Sequence, residues 1–241
     1  MIPAPLHIAG ERLALDHGGA LAWPARRLLA VADLHLEKGS AFAARGRLLP
    51  PYDTRDTLAR LTPLLRRWKP QTLVLLGDSF HDSDGSARMA PADRAALVAM
   101  LAGIDVIWVL GNHDPAAPHD LPGVSVPEHR DGPLVFRHIA QAGASAEISG
   151  HFHPKASLET RAGAITRPCF LTDGRRVVLP AFGSFCGGLD IRDPALGALF
   201  PRGGRAFLLG RDRLHSFATG PLRALARPAL TAAHNGPISG P

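Results

Sequence analysis

The sequence predicts an α/β chain in which the first half builds a largely parallel sheet with helices on it. The second half adds a more antiparallel sheet packed on the first. Three observations carry this expectation. Short continuous apolar runs (RLLAVA, TLVLL, VIWVL) alternate with helical stretches between Arg27 and Leu110, the pattern of strands covered on both faces. From Lys155 to about Ser216 the runs are shorter and separated by Gly, Pro and Asp. The 241 residues, 46% of them apolar, are enough for one core, and the usual domain size favours a single domain.

Taken in order, Arg27–Ala32 reads as the first strand. Tyr52–Lys69 repeats Leu58, Leu61, Leu65 and Trp68 at helical spacing, with Pro63 inside it, where a kink or a restart is expected. Thr72–Leu76 is the second strand. Pro91–Ala102 is a helix with Pro91 in its first turn, Asp93 favourable to the N-terminal dipole and Gly103 as its stop. Val106–Leu110, Leu134–Arg137 and Glu147–Ser149 follow as strands. Ala164–Leu171, Arg176–Leu179, Ala206–Leu209 and Arg213–Phe217 make the second sheet. Strand–helix–strand alternation implies right-handed crossovers. Residues 1–217 are read as the domain. Residues 218–241, with Pro221, Pro228, Pro237 and Pro241 and no periodicity, are read as a loosely attached tail.

Composition narrows the class. No apolar run is long enough to span a bilayer, and the first residues lack a basic stretch leading into an apolar one. A cytoplasmic protein without a membrane partner is therefore expected. Cys169 and Cys186, the only cysteines, cannot make a disulfide scaffold. Lys+Arg 27 against Asp+Glu 21 gives +6, and only Lys38, Lys69 and Lys155 are lysines. An arginine-rich surface suits an anionic partner. Taken alone, the charge is better explained by compositional bias, since the chain is also rich in Ala, Gly and Pro.

The chemistry lies where the apolar runs end. RLLAVA is followed by Asp33-Leu34-His35, TLVLL by Gly77-Asp78-Ser79-Phe80-His81, and VIWVL by Gly111-Asn112-His113-Asp114. Leu134–Arg137 is followed by His138, and Glu147–Ser149 by Gly150-His151-Phe152-His153. The carboxyl edge of an open α/β sheet is where ligands bind. On a strand continuation, residues two apart point the same way, so Asp33 with His35, and His151 with His153, should face one site. Asp33, Asp78, Asn112, His35, His138, His151 and His153 are ligand types for a pair of metal ions, and mixed N/O donors without thiolate favour Mn, Fe, Zn or Ni. Glycines 77, 111 and 150 would let the backbone turn sharply and approach closely. His7, His17, His119, His129, His215 and His234 fall outside the motifs and are read as surface residues.

The ordered series D-x-H, G-D, G-N-H-D, H and G-H-x-H resembles the calcineurin-like metallophosphoesterase superfamily. That resemblance implies a two-sheet β sandwich flanked by helices. It also implies two divalent ions, one on Asp33, His35, Asp78 and His153, the other on Asp78, Asn112, His138 and His151. The form G-D-x-F-H, with His81, is similar to that of the SbcD-type repair nucleases, where this histidine lies by the phosphate. VADLHLEKG, PPYDTR, LGDSFHD, ISGHFHP and LPAFGSFCGGL together resemble the ligase-associated DNA-damage-response endonuclease family (PdeM).

From that resemblance follows a Mn-dependent phosphodiesterase that hydrolyses DNA, in functional association with a DNA ligase and a helicase. In-line attack by a metal-activated water, with His113 as general acid and Asp114 orienting its ring, is the expected chemistry. His81 would donate to the phosphate or assist protonation. Lys38, Arg45, Arg47 and Arg55 are candidates for holding the DNA backbone. Phe182 and Phe185 are read as core, and Cys186 as an inert thiol. Two other readings compete: a small-molecule phosphatase or nucleotide phosphohydrolase on the same site, and a noncatalytic scaffold. The complete ligand series argues against the second.

Overall fold

Successive side chains of a strand point to opposite faces, so a strand apolar throughout needs a core on each side. The computed structural model, which describes residues 2–116, 120–160 and 163–221, supplies both. Leu28, Ala30, Val74 and Leu76 pack between two sheets, whereas Leu29, Val31, Leu73 and Leu75 pack outward under helices.

The first sheet runs β1 (Ala4–Ile8), β2 (Glu11–Leu15), β3 (Leu21–Trp23), β4 (Leu28–Val31), β5 (Thr72–Leu76), β6 (Asp105–Val109) and β7 (Val124–Val126), neighbours in that order. From β4 to β7 it is parallel, as expected. The N-terminal meander β1–β4 is antiparallel and was not foreseen. Its first turn is Ala9-Gly10, both at positive φ, the geometry that lets a two-residue loop match strand twist.

The second sheet holds β8 (Glu128–Asp131), β9 (Leu134–Arg137), β10 (Glu147–Ser149), β11 (Lys155–Thr160), β12 (Gly163–Thr172), β13 (Arg176–Val178), β14 (Gly204–Leu209) and β15 (Leu214–Thr219). Its order is β15-β14-β12-β13-β10-β9-β8, with β11 paired to β12. It is mostly antiparallel, but β9, β10 and β13 run parallel. Strands β9 and β10 therefore belong to the second sheet, not to a continuation of the first.

Helices α1 (Lys38–Ala43), α2 (Asp53–Trp68), α3 (Gly85–Arg88), α4 (Pro91–Leu101) and α5 (Pro194–Leu199), with a 3-10 turn at Pro24–Arg26, complete the described elements. Helices α2 and α4 cover the first sheet, and Leu196 and Leu199 of α5 cover the second. The result is the two-sheet sandwich flanked by helices. The restart expected at Pro63 does not occur: α2 is one helix, because buried Leu58, Leu61 and Leu64 anchor it to the core on both sides of the proline. Of the segment read as a tail, β15 runs to Thr219 and residues 222–241 lie outside the described residues. Among the described residues no helix is long and apolar enough to cross a membrane.

Candidate metal centre

Strands β4, β5 and β6 end side by side in one sheet, and β9 and β10 end side by side in the other. Their carboxyl ends meet. The loops after β4 and β5 zip together, His35 N donating to Asp78 O at 2.8 Å and Leu36 N to Ser79 O at 2.9 Å. The expected strand continuation is not what aims the ligands. Asp33, His35 and Glu37 lie at φ 55°, 43° and 63°, alternating with Leu34 and Leu36, which are buried in the core. Asp78, His151 and His153 are left-handed too, at φ 46°, 69° and 46°. Such backbone costs about 1–3 kcal/mol per residue and persists where surrounding structure enforces it.

The two carboxylates are held alike. His113 N donates to Asp78 Oδ1 at 2.9 Å, leaving Oδ2 facing His138 Nε2 at 3.3 Å and His35 Nε2 at 3.8 Å. His151 N donates to both Asp33 oxygens, Oδ2 at 2.9 Å and Oδ1 at 3.1 Å, and Oδ1 also lies 3.2 Å from His153 Nε2. Because His151 follows β10 of the second sheet and Asp33 follows β4 of the first, this bond ties the two sheet edges together at the site. Close approach depends on missing side chains. A Cβ on Gly77, at φ 71°, would lie 2.4 Å from the His138 ring, and one on Gly150 would lie 2.5 Å from Asp33 Oδ2.

The remaining donors form two sets joined by Asp78. His35 Nε2 is 3.4 Å from His153 Nε2 beside Asp33. On the other side His138 Nε2 is 3.0 Å from Asn112 Oδ1 and 3.2 Å from His151 Nδ1. An ion held at roughly 2.0–2.2 Å from N and O donors sets those donors about 3.0–3.5 Å apart, so the residues fit a pair of divalent cations. The Leu76 carbonyl fixes the His138 tautomer: it accepts from Nδ1 at 3.0 Å, which leaves Nε2 for an ion.

Charge follows the geometry. Burial, with the His153, His113 and His81 charges, pushes the His35 imidazole down to about 3 although Asp78 opposes it. Burial would raise Asp78, but His138, the His113 N–H and His35 hold it at about 2. For His81, burial and the charges of Lys38 and His113 lower the pKa to about 4. Burial raises Asp114 to about 6 against the pull of the Phe80 and Ser79 N–H groups.

His113 stands exposed beside the donors, its Nε2 4.0 Å from Asp78 Oδ2 and its ring stacked on His81 with centroids 5.2 Å apart. The expected contact with Asp114 is not made. His113 Nδ1 donates instead to the His81 carbonyl at 2.9 Å. The Asp114 carboxylate turns inward and accepts from Ser79 N, Phe80 N and Gly111 N at 2.7, 3.1 and 3.2 Å, clamping the loops after β5 and β6 together.

The basic candidates divide. Lys38 Nζ donates to Phe185 O at 3.0 Å next to the site. Arg45 lies 3.9 Å from Asp82 on the exposed loop that also carries Arg47. Arg55 is paired within the chain, its Nε 3.2 Å from Asp93 of α4. His7 and His215 are exposed and His17 and His129 half-buried, while His119 and His234 lie outside the described residues. Phe182 is core, but Phe185 is not: it is exposed. Cys186 is a half-buried thiol whose pKa burial pushes up to about 11. Arg60 and Lys155 were not singled out in the sequence, and with Phe185 and His153 they line a cavity of about 260 Å³. For Lys155 the signal was present, since it follows the H-x-H pair by two residues.

Comparison with known proteins agrees with this geometry. A family profile described as calcineurin-like phosphoesterase matches residues 26–159, which span all seven candidate ligands. Among solved structures, the Pseudomonas putida nuclease MPE is 32% identical, with a TM-score of 0.66 over 88% of this chain and 100% of that one. The E. coli phosphoesterase YfcE is 14% identical over 79% of this chain and 98% of that one, at a TM-score of 0.38. A comparison with curated proteins finds no match. The profile match over more than half the chain, together with the conserved architecture of the nuclease, makes this protein a member of the calcineurin-like phosphoesterase family.

Proposed function

We propose that this protein is a divalent-metal-dependent phosphodiesterase that cuts DNA endonucleolytically, acting in the cytoplasm in DNA repair alongside a DNA ligase and a helicase. The observation that carries the reading is Asp78 Oδ2, which stands between two sets of imidazole donors with His113 at its side. Similarity to the Pseudomonas putida nuclease across 88% of the chain supports a nucleic-acid substrate over a small phosphate ester. Asp33, His35, Asp78 and His153 would hold one ion and Asp78, Asn112, His138 and His151 the other, with Mn the first expectation and Fe, Zn or Ni the alternatives. Bound ions of this kind neutralise phosphate charge and acidify water.

The protein's own groups do the rest. When a phosphodiester is hydrolysed, the bond from phosphorus to the leaving oxygen breaks and that oxygen needs a proton. His113 supplies it. With Nδ1–H fixed on the His81 carbonyl, the imidazolium presents Nε2–H to the leaving oxygen and ends neutral in a defined tautomer. His81 serves as a neutral donor, because its lowered pKa keeps it uncharged near pH 7. A His35 that uses Nε2 as a ligand carries its proton on Nδ1, 3.5 Å from His81 Nδ1. His81 then accepts at Nδ1 and offers Nε2–H to a phosphate oxygen. Asp114 acts through structure, fixing the two loops that carry Asp78 and Asn112.

The test is a screen of Mn, Fe, Zn, Ni and Mg with single-stranded DNA, plasmid DNA, a generic phosphodiester and a generic phosphomonoester in parallel. Cleavage of DNA and of the diester is expected. Intact DNA beside rapid turnover of the monoester would overturn the nuclease reading in favour of a small-molecule phosphatase.

A further inference from the structure

We infer that Tyr52 and Phe185 form a platform for one nucleobase of the substrate strand beside the metal centre, a role that rests on the nuclease reading. Both rings are solvent-facing, 54% and 42% exposed, and their centroids lie 5.9 Å apart. Phe185 is held out against local preference: its φ of 58° is one that a bulky residue rarely adopts. Two ammonium groups secure that turn, Lys38 Nζ donating to Phe185 O at 3.0 Å and Lys155 Nζ to Cys186 O at 3.2 Å.

The segment that presents Phe185 is pinned to the site. Gly183 N donates to Asp33 O at 3.0 Å and Ser184 N to Thr57 Oγ1 at 3.1 Å. Packing is so close that a Cβ on Gly183 would fall 1.9 Å from Leu34 O. From Phe185 the cavity of about 260 Å³ reaches His153, with Arg60 and Lys155 in its wall. Phe185, the cations of Arg60 and Lys155, the Asp56 carboxylate and His153 of the metal centre therefore share one open space, and Lys38 stands at its edge on the Phe185 carbonyl. Two rings framed by Lys38, Arg60 and Lys155 match a strand that alternates anionic phosphates with flat bases. Stacking on such a platform tolerates any base, since every base has a π-face.

The experiment uses the full-length, metal-loaded protein and oligodeoxynucleotides carrying 2-aminopurine at successive positions around the cut. The wild type should quench 2-aminopurine at one position next to the cleaved bond. Phe185→Ala and Tyr52→Ala should lose that quench and raise KM for the oligonucleotide by about 5- to 100-fold, whereas Tyr52→Phe keeps both near wild type. An abasic nucleotide at the same position should cost the wild type a similar factor and cost Phe185→Ala nothing further. Equal quenching and equal KM in folded Phe185→Ala and Tyr52→Ala, or the same abasic penalty in every variant, would overturn the platform while leaving the nuclease reading intact. Failure of the wild type to bind or cut DNA would overturn both.

Discussion

Asp16 and Asp78 are both buried, yet their surroundings differ in kind. Asp16 finds its partners within the chain: Gly18 N and Trp68 Nε1 donate to it at 2.9 Å each, and Arg67 Nη1 at 2.7 Å. Burial would raise its pKa, but those donors hold it below the usual carboxylate range. Asp78 receives one backbone N–H and otherwise faces imidazoles. Around it, ring nitrogens meet one another, His35 Nε2 with His153 Nε2 at 3.4 Å and His138 Nε2 with His151 Nδ1 at 3.2 Å. The first aspartate joins α2 to the N-terminal sheet and is complete. The second belongs to a cluster of N and O donors with the composition and spacing to hold divalent ions. Burial alone separates nothing here, whereas the identity of the neighbours does.

Breaking the contrast at Asp78 should have the largest effect. Asp78→Asn removes the oxygen common to both donor sets, and activity should fall by more than the roughly 10- to 100-fold that loss of an outer partner costs a metal site. Metal content per folded chain, measured by elemental analysis, should fall with it. An Asp78→Asn protein with full metal occupancy would show that the carboxylate is not the shared ligand.

His113→Asn comes next. It deletes the proton donor and no ligand, so kcat on DNA should drop about 10²- to 10⁴-fold while metal content stays at the wild-type level. Unchanged kcat would remove His113 from the reaction.

Asp16→Asn sharpens the comparison from the other side. It should cost about 1–3 kcal/mol of stability by urea unfolding and leave kcat per folded molecule unchanged. Because the folded pKa of Asp16 lies below its unfolded value, this stabilisation is present above the unfolded carboxylate pKa of about 3.9 and is lost as pH falls through the folded value. The gap between wild type and Asp16→Asn should therefore close in acid. Smallest of all is Arg55→Ala: with Arg55 72% exposed against Asp93, it should change stability by less than about 1 kcal/mol and leave the salt dependence of DNA binding as it was.

Much of this was legible in the sequence, for a physical reason. Ligand chemistry demands particular side chains, so Asp33, Asp78, Asn112 and His138 stand out as polar residues where apolar runs stop. Strands such as Leu134–Arg137 and Glu147–Ser149 could be bounded from composition alone. Backbone conformation was less legible. Nothing in Asp33-Leu34-His35 announces two left-handed residues, because pairing with the 77–81 loop enforces them. Assignment of β9 and β10 to the second sheet is likewise a long-range outcome. The β1–β2 hairpin did leave a signal, Leu6 and Ile8 alternating before Ala9-Gly10 and Leu13 and Leu15 after it. Asp114 shows how adjacency misleads: its carboxylate reaches Ser79 and Phe80, far along the chain, in preference to the ring next door.

The most direct measurement of the central claim is cleavage of a DNA oligonucleotide by protein stripped with a chelator and then titrated with Mn²⁺. No cleavage after stripping, with activity rising to a plateau near two ions per chain, is the expected result. Cleavage indifferent to the chelator, or a metal-saturated protein that leaves DNA intact, would contradict it.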